Sequence, residues 1–223
     1  MKRKIITTGD GSKTIQISEW NEQYHSTHGA IQEAEHVYIN SGLEYFKTDF
    51  TKEILVLEIG FGTGLNALLT SIWAEKQQMK INYTGVEAFP VSSEEIQLLN
   101  YSEQLVSTNA KQLFKEIHNC KWEKFGAISE YFNLKKIQIF FDEIQYQKEF
   151  DVIYFDAFGA RVQPELWTEQ IFKIMYEALR KNGVLVTYSA KGSARRAMKS
   201  VGFQTEVISG PPGKRHMIRA VKF

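Results

Sequence analysis

The chain has 223 residues, 43% of them hydrophobic, which is enough for one large α/β domain with a well-buried core. Its single cysteine, Cys120, excludes a disulfide framework and a Cys-rich zinc site; no stretch approaches the ~18 apolar residues of a membrane helix, so a reducing cytoplasm is the expected address. The net charge is only +1, but residues 191–223 carry eight bases and one acid, an asymmetry that points to an anionic partner.

In chain order, residues 1–50 read as an extension that packs near the active site, and 51–223 as the main domain. The basic start, Met1 to Lys4, runs into polar Thr7 to Lys13, so no secretory signal is expected. Ile15, Ile17 and Trp20 predict a short strand or hairpin. Apolar residues at helical spacing over 29–46 predict a helix broken near Gly42. Residues 54–59 are the first strand of the main domain, 65–76 its first helix and 81–87 its second strand; Pro90 opens the next helix. Residues 94–117 read as helix in two pieces, and 127–132 and 137–141 as short β segments. Residues 150–156 form a buried strand ending in an acid. An amphipathic helix over 166–180 is stopped by Asn182 and Gly183. Strand 184–189 and helix 193–201 follow, and strands 203–208 and 217–221 close the chain around a Gly/Pro-rich loop. This order predicts a doubly wound, mostly parallel seven-stranded α/β sheet with an antiparallel edge hairpin.

Gly60, Gly62 and Gly64 lie between the first strand and the first helix. Strand, glycine turn and helix make the cofactor corner of such a sheet. Leu65 stands where a dinucleotide fingerprint has its third glycine, which points to S-adenosylmethionine (SAM) and away from NAD. Glycines let the backbone approach a ligand, and the amides at the helix start can take the methionine carboxylate. Glu58, Phe61, Thr63 and Asn66 flank the glycines and complete the expected cofactor shell. Glu87 ends the second strand 23 residues after Gly64, where an acid suits the ribose hydroxyls; Ala88 and Phe89 follow it. Asp142 suits the adenine amino group, with Phe141 or Glu143 flanking the ring.

Asp156 ends a strand at the edge where such sheets bind substrates, with Ala157 and Phe158 after it. Covalent methylation at a pyrimidine carbon needs a thiolate, and Cys120 lies away from the strand ends. The Asp/Asn-Pro-Pro-aromatic motif used on aromatic amino groups is absent. An acid beside an aromatic suits an aliphatic amine. On unperturbed values, proton transfer from an alkylammonium to a carboxylate is uphill by about 8 kcal/mol, so Asp156 is expected mainly to orient the amine. Lys191, Arg195, Arg196, Lys199, Lys214 and Arg215 are candidates for phosphate contacts. Tyr24, Phe158 and Trp167 are candidates for stacking on a base, and His28 for reaching the site.

Taken together, the chain resembles the methyltransferase part of the MnmC/MnmD family. The likeness rests on Tyr24 to Ser26, Glu33 to Tyr38, Glu58 to Asn66, Glu87 to Pro90, Asp156 to Phe158, Pro164 to Trp167 and Gly213 to Met217. It implies a class I SAM-dependent methyltransferase fold. It also implies an enzyme that methylates the primary amine of 5-aminomethyl-(2-thio)uridine at the tRNA wobble position. Glu58, Gly60, Gly64, Glu87 and Asp142 would hold SAM, and Asp156 would face the amine. The anticodon stem-loop would be the partner, with no metal and no membrane, and the chain a monomer or weak homo-oligomer. Bifunctional members carry glycine at the position of Ala157 and an oxidase domain beyond that of Phe223, so a stand-alone type is expected. A small-molecule amine methyltransferase, an aminopropyl transferase and a non-catalytic SAM- or RNA-binding module remain as alternatives.

Overall fold

The computed structural model describes residues 2–48 and 50–223; Met1 of the basic start and Asp49 lie outside the described residues. β1 (Arg3–Thr7), β2 (Lys13–Ile17) and β3 (Glu22–Gln23) form a small antiparallel sheet, with Ile15 and Ile17 buried. The predicted hairpin thus gains a third strand. The following helix runs on without the expected break. α1 (Ala30–Ala34) passes into a π-helical stretch, Glu35–Leu43, and then into α2 (Glu44–Phe46). Gly42 serves close packing: a Cβ there would lie 3.1 Å from Val186 and 3.3 Å from Tyr154, so its absence lets the helix rest on the main sheet.

The rest alternates: β4 (Glu53–Ile59), α3 (Leu65–Gln77), β5 (Lys80–Val86), α4 (Ser93–Gln97), α5 (Tyr101–Gln104) and α6 (Ala110–Asn119). Then come β6 (Phe125–Ala127), β7 (Phe132–Ile137), β8 (Phe150–Phe155), α7 (Glu169–Ala178), β9 (Leu179–Thr187), α8 (Gly192–Ser200), β10 (Gln204–Ser209) and β11 (His216–Val221). The strands lie in the order β10-β11-β9-β8-β4-β5-β7-β6, parallel in the middle and antiparallel at both edges. The eighth strand is β6, which pairs antiparallel with β7 beyond the seven expected. Both faces are covered. Ile54 and Val56 pack with α1, α3 and α6, while Leu57 and Ile59 pack with α7 and α8, following the two-residue alternation of a strand.

Four local expectations give way. The β segments expected at 127–132 and 137–141 resolve into β6 and β7, because charged Lys135 and Lys136 hide a strand. Lys136 is 2% exposed and its ammonium donates to the Ile117 and His118 carbonyls at 3.0 and 3.1 Å, satisfying the end of α6. Helix α4 starts after Pro90, at Ser92, whose hydroxyl caps Glu95 while the Glu95 carboxylate accepts from the Ser92 amide. The stretch 94–117 holds three helices in place of two. Finally, α7 stops at Ala178; Asn182 (φ 65°) belongs to a four-residue excursion within β9, between its pairings at Leu179 and Val184.

From β4 the chain moves outward to β5 and β7, then returns to β8 on the opposite flank. The carboxyl ends of β4 and β8 therefore flank the topological switch point, where open α/β sheets form their ligand crevice. No helix among the described residues is long and apolar enough to cross a membrane.

Candidate active site

The turn after β4 is shaped by its contact with β8. The Asp156 amide donates to the Ile59 carbonyl at 2.9 Å. A Cβ on Gly60 would lie 2.7 Å from the Asp156 carbonyl oxygen, and Gly60 holds φ 91°, so only glycine fits there. The turn is tied to β5 as well: Gly60 and Phe61 amides donate to the Val86 carbonyl, and the Gly62 amide to Glu87 Oε2 at 2.9 Å. The other oxygen of Glu87 accepts from the Phe89 amide at 2.9 Å. Helix α3 starts at Gly64 with no side-chain cap, which leaves its first amides and the positive end of its dipole for an anion.

A cavity of about 950 Å³ opens at this corner. Of the predicted cofactor residues it is lined by Gly60, Phe61, Gly62, Thr63, Asn66, Glu87, Ala88, Phe89, Asp142 and Asp156. Three others do not line it. Glu58 is buried beneath, 1% exposed; Gly64 faces His118; Glu143 is exposed and accepts from the Phe140 amide at 2.8 Å. Phe141 is largely buried in the core but also lines the cavity, and the exposed aromatic surface beside Asp142 comes from Phe89 and Phe140, rings 5.8 Å apart. Nothing in the sequence marks Phe140, since its pairing with Phe89 spans two strands.

Tyr24, His28, Phe158, Lys191 and Lys214 also line the cavity. Tyr24 and Trp20 both meet Phe158 edge-on, at 5.0 and 5.6 Å. Trp167 is no stacking surface: it is 5% exposed, and its indole donates to the Phe158 carbonyl at 2.8 Å. Arg195, Arg196 and Arg215 lie outside. Arg195 donates to Thr205 on β10 at 3.2 Å, while Arg196 and Arg215 are exposed. Lys214 is committed as well. Its ammonium meets buried Glu33 at 2.6 Å and sits 4.0 Å from the Tyr188 ring centre, fastening the last hairpin loop to α1. Arg219 pairs with Glu206, and the Lys222 ammonium binds the Tyr176 and Leu179 carbonyls. The basic segment is thus smaller in solution than on paper; Lys191, Arg196, Lys199 and Arg215 keep exposed charges. Sequence spacing missed Arg3, Arg161, Glu33 and Tyr188 as wall residues. Arg3 holds Glu95 at 3.0 Å and Arg161 holds Glu22 at 2.9 Å, so these two clips fix the small N-terminal sheet across the cavity.

Asp156 Oδ2 accepts from Asn66 Nδ2 at 2.9 Å. Burial pushes its carboxyl up to about 7 from 3.8. The Tyr38 hydroxyl pulls it back, the negative charge of Glu33 adds to the rise, and the Asn66 amide and Lys214 ammonium act against it. Six carboxylates line the cavity, and two of them, Glu22 and Glu33, are already paired with Arg161 and Lys214. Such a lining suits cationic ligands.

This fold and corner define a SAM-dependent methyltransferase. The profile of the S-adenosyl-L-methionine-dependent methyltransferase family matches residues 101–223, wholly downstream of the glycine turn, and the chain belongs to that family. Among curated relatives, the tRNA 5-methylaminomethyl-2-thiouridine biosynthesis bifunctional proteins MnmC of Ralstonia nicotianae and Leptospira interrogans are 26% and 25% identical over 90% and 96% of the chain. The chain spans about a third of their length, 32% and 34%. The crystal structure of MNMC2 from Aquifex aeolicus superposes with a TM-score of 0.77 at 25% identity, covering 98% of this chain and 69% of that one. Spermidine synthase of Thermotoga maritima shares the fold at a TM-score of 0.54 and 13% identity, over 100% and 72% of the two chains.

The residues present fit SAM. Asn66 Oδ1 is a buried acceptor without a protein partner on a residue that borders the cavity, and the uncapped start of α3 offers donors.

Proposed function

We propose that the chain methylates the primary amine of 5-aminomethyl-(2-thio)uridine at the wobble position of tRNA, giving 5-methylaminomethyl-(2-thio)uridine. The observation that carries the reading is Asp156: a carboxylate held on the cavity wall by Asn66, beside an aromatic and with its basicity raised. The names of the MnmC relatives supply the substrate class. SAM, when bound, supplies an electrophilic methyl group. The free amides at the start of α3 would hold its carboxylate, Glu87 its ribose, and Asp142 with Phe89 and Phe140 its adenine.

Asp156 would then do more than orient the amine. With its carboxyl near 7, the proton-transfer gap to an alkylammonium near 10.4 shrinks from about 6 units to about 3.5. Burial of the amine closes it further, because desolvation disfavours the charged ammonium. Asp156 takes one proton from the ammonium and leaves a lone pair aimed into the cavity. Trp20, Tyr24 and Phe158 offer apolar surface for the extruded base. Lys191 at the rim, then Arg196 and Lys199 along α8 and Arg215 on the last loop, would take phosphates of the anticodon stem-loop. The described residues of the 1–50 extension would act as the substrate-side wall of the 51–223 domain in the cytoplasm.

The test is nucleoside mass spectrometry on tRNA from cells lacking the protein, with purified protein and labelled SAM added back. Accumulated 5-aminomethyluridine, with or without the 2-thio group, that gains label supports the reading. An unchanged nucleoside profile, or label passing to putrescine in preference to tRNA, overturns it.

A further inference from the structure

Beneath the cavity floor lies a buried carboxyl group, Glu58, that the reaction above leaves unused. Asn66 Nδ2 donates in two directions, to Glu58 Oε1 at 2.8 Å and to Asp156 Oδ2 at 2.9 Å. Glu58 is 1% exposed and Asn66 2%, and Glu58 has no surface on the cavity. Two acceptors, one on each side, dictate which way the amide faces: turning it over would set its oxygen against both carboxyl groups.

Burial pushes the Glu58 carboxyl well above the usual carboxylate range; the charges of Asp156 and Glu87 add to the rise, and the Tyr83 hydroxyl and Asn66 amide oppose it. The direction of that rise favours the neutral, protonated form of Glu58. Its Oε1 accepts from Asn66, while Oε2 has no hydrogen-bond partner. An ionised Glu58 would place a second buried negative charge one amide away from Asp156.

We propose that Glu58 acts through Asn66 as a positioning residue for Asp156 and makes no contact of its own with the cofactor. A neutral acid supplies the acceptor that fixes Asn66, and Asn66 then fixes the Asp156 carboxylate without adding charge to the floor. The inference rests on Asp156 as the group that faces the substrate amine. Other groups bear on Asp156 from every side: Glu33 on α1, Tyr38 on the π-helical stretch, Tyr83 on β5, Tyr188 after β9 and Lys214 on the last loop. None of these bridges it to a second carboxyl group as Asn66 does.

The test is a carboxyl-carbon NMR titration of the protein without substrate, with Asp156 assigned from an Asp156→Asn sample, alongside SAM affinity by calorimetry. In the wild type Asp156 titrates near 7. In Glu58→Gln, which keeps the acceptor and the neutral charge, that midpoint stays within about 0.3 unit and SAM affinity within about twofold. In Asn66→Ala the lost donor moves the midpoint up by about one unit. Single-turnover methyl transfer, where available, holds within about threefold in Glu58→Gln and falls about tenfold in Glu58→Leu. A midpoint about one unit lower in Glu58→Gln would mean that Glu58 is charged, and would overturn the proposal. So would a tenfold loss of SAM affinity with the Asp156 midpoint unmoved, which would make Glu58 a cofactor ligand. Should Glu58→Leu fail to fold, the Glu58→Gln and Asn66→Ala titrations still decide. Because the titration needs no substrate, a failed tRNA assay would sink the proposed function and leave this result standing.

Discussion

The wall of the cavity proposed for the cofactor comes from one short run, residues 60–63 with Leu65 and Asn66, backed by Glu87 to Phe89 at the end of the neighbouring strand. The opposite wall is assembled from far-apart segments: Tyr24 to His28, Glu33, Asp156 to Phe158, Tyr188, Lys191 and Lys214. The first wall is set by a glycine turn in which a side chain at Gly60 would clash with the Asp156 carbonyl just past β8. The second is side chain, held by ion pairs and edge-on aromatics between elements that share no local sequence. Backbone suits an invariant cofactor; side chains on separate elements suit a substrate that has to enter and leave.

Asp156 sits where the walls meet, so its loss should break the contrast most severely. Asp156→Ala should cut methyl transfer by about 10²–10⁴-fold while SAM affinity, measured by calorimetry, changes little. An equal loss of both would merge the two walls into one unit. Next in size, Gly60→Ala should strike the backbone wall: a Cβ 2.7 Å from a carbonyl at φ 91° should destabilise the protein by about 1–3 kcal/mol and weaken SAM binding in parallel. Denaturant unfolding with and without SAM would show it, and unchanged stability would mean that the turn tolerates a side chain. Third, Arg196→Glu with Lys199→Glu should weaken tRNA binding about tenfold and flatten its salt dependence, with SAM affinity constant. Arg195→Glu tests the same face differently, since Arg195 is engaged with Thr205 and its loss should lower the melting temperature more than tRNA affinity.

The smallest effect concerns pH and sets activity against stability. The Asp156 carboxyl rises from 3.8 to about 7 on folding, so the fold binds that proton more tightly than the unfolded chain does. Its contribution to stability is full below about 3.8 and is lost as pH rises through about 7. Methyl transfer needs the deprotonated form and should climb over the same upper limb. Melting curves and single-turnover rates across pH 5–9 would show the two moving in opposite directions; parallel profiles would assign the titration to another group.

Several expectations from sequence survive for reasons that can be stated. The alternation of strands and helices, the glycine corner and the final hairpin are legible because apolar alternation and glycine spacing act on neighbours in the chain. Strand β7 escaped because two lysines broke its pattern, and only the packing of α6 against the sheet shows that one of them is a buried cap. Gly42 looked like a helix break because glycine weakens helices, yet its role is contact with Val186 and Tyr154, far away in sequence. Glu58 adjoins the glycines in sequence, but alternation along β4 turns it under the floor, where it accepts from Asn66.

The sequence by itself determined the switch-point corner, the strand that ends in Asp156 and a C-terminal segment rich in bases, because each depends on residue type and spacing within a short stretch. Tertiary structure alone decided that Lys214 is locked to Glu33, that Asn66 joins Glu58 to Asp156, and that the Asp156 carboxyl is pushed up to about 7. Charge pairing and desolvation are set by what lies within a few ångströms, and in this fold those neighbours come from residues 33 to 214.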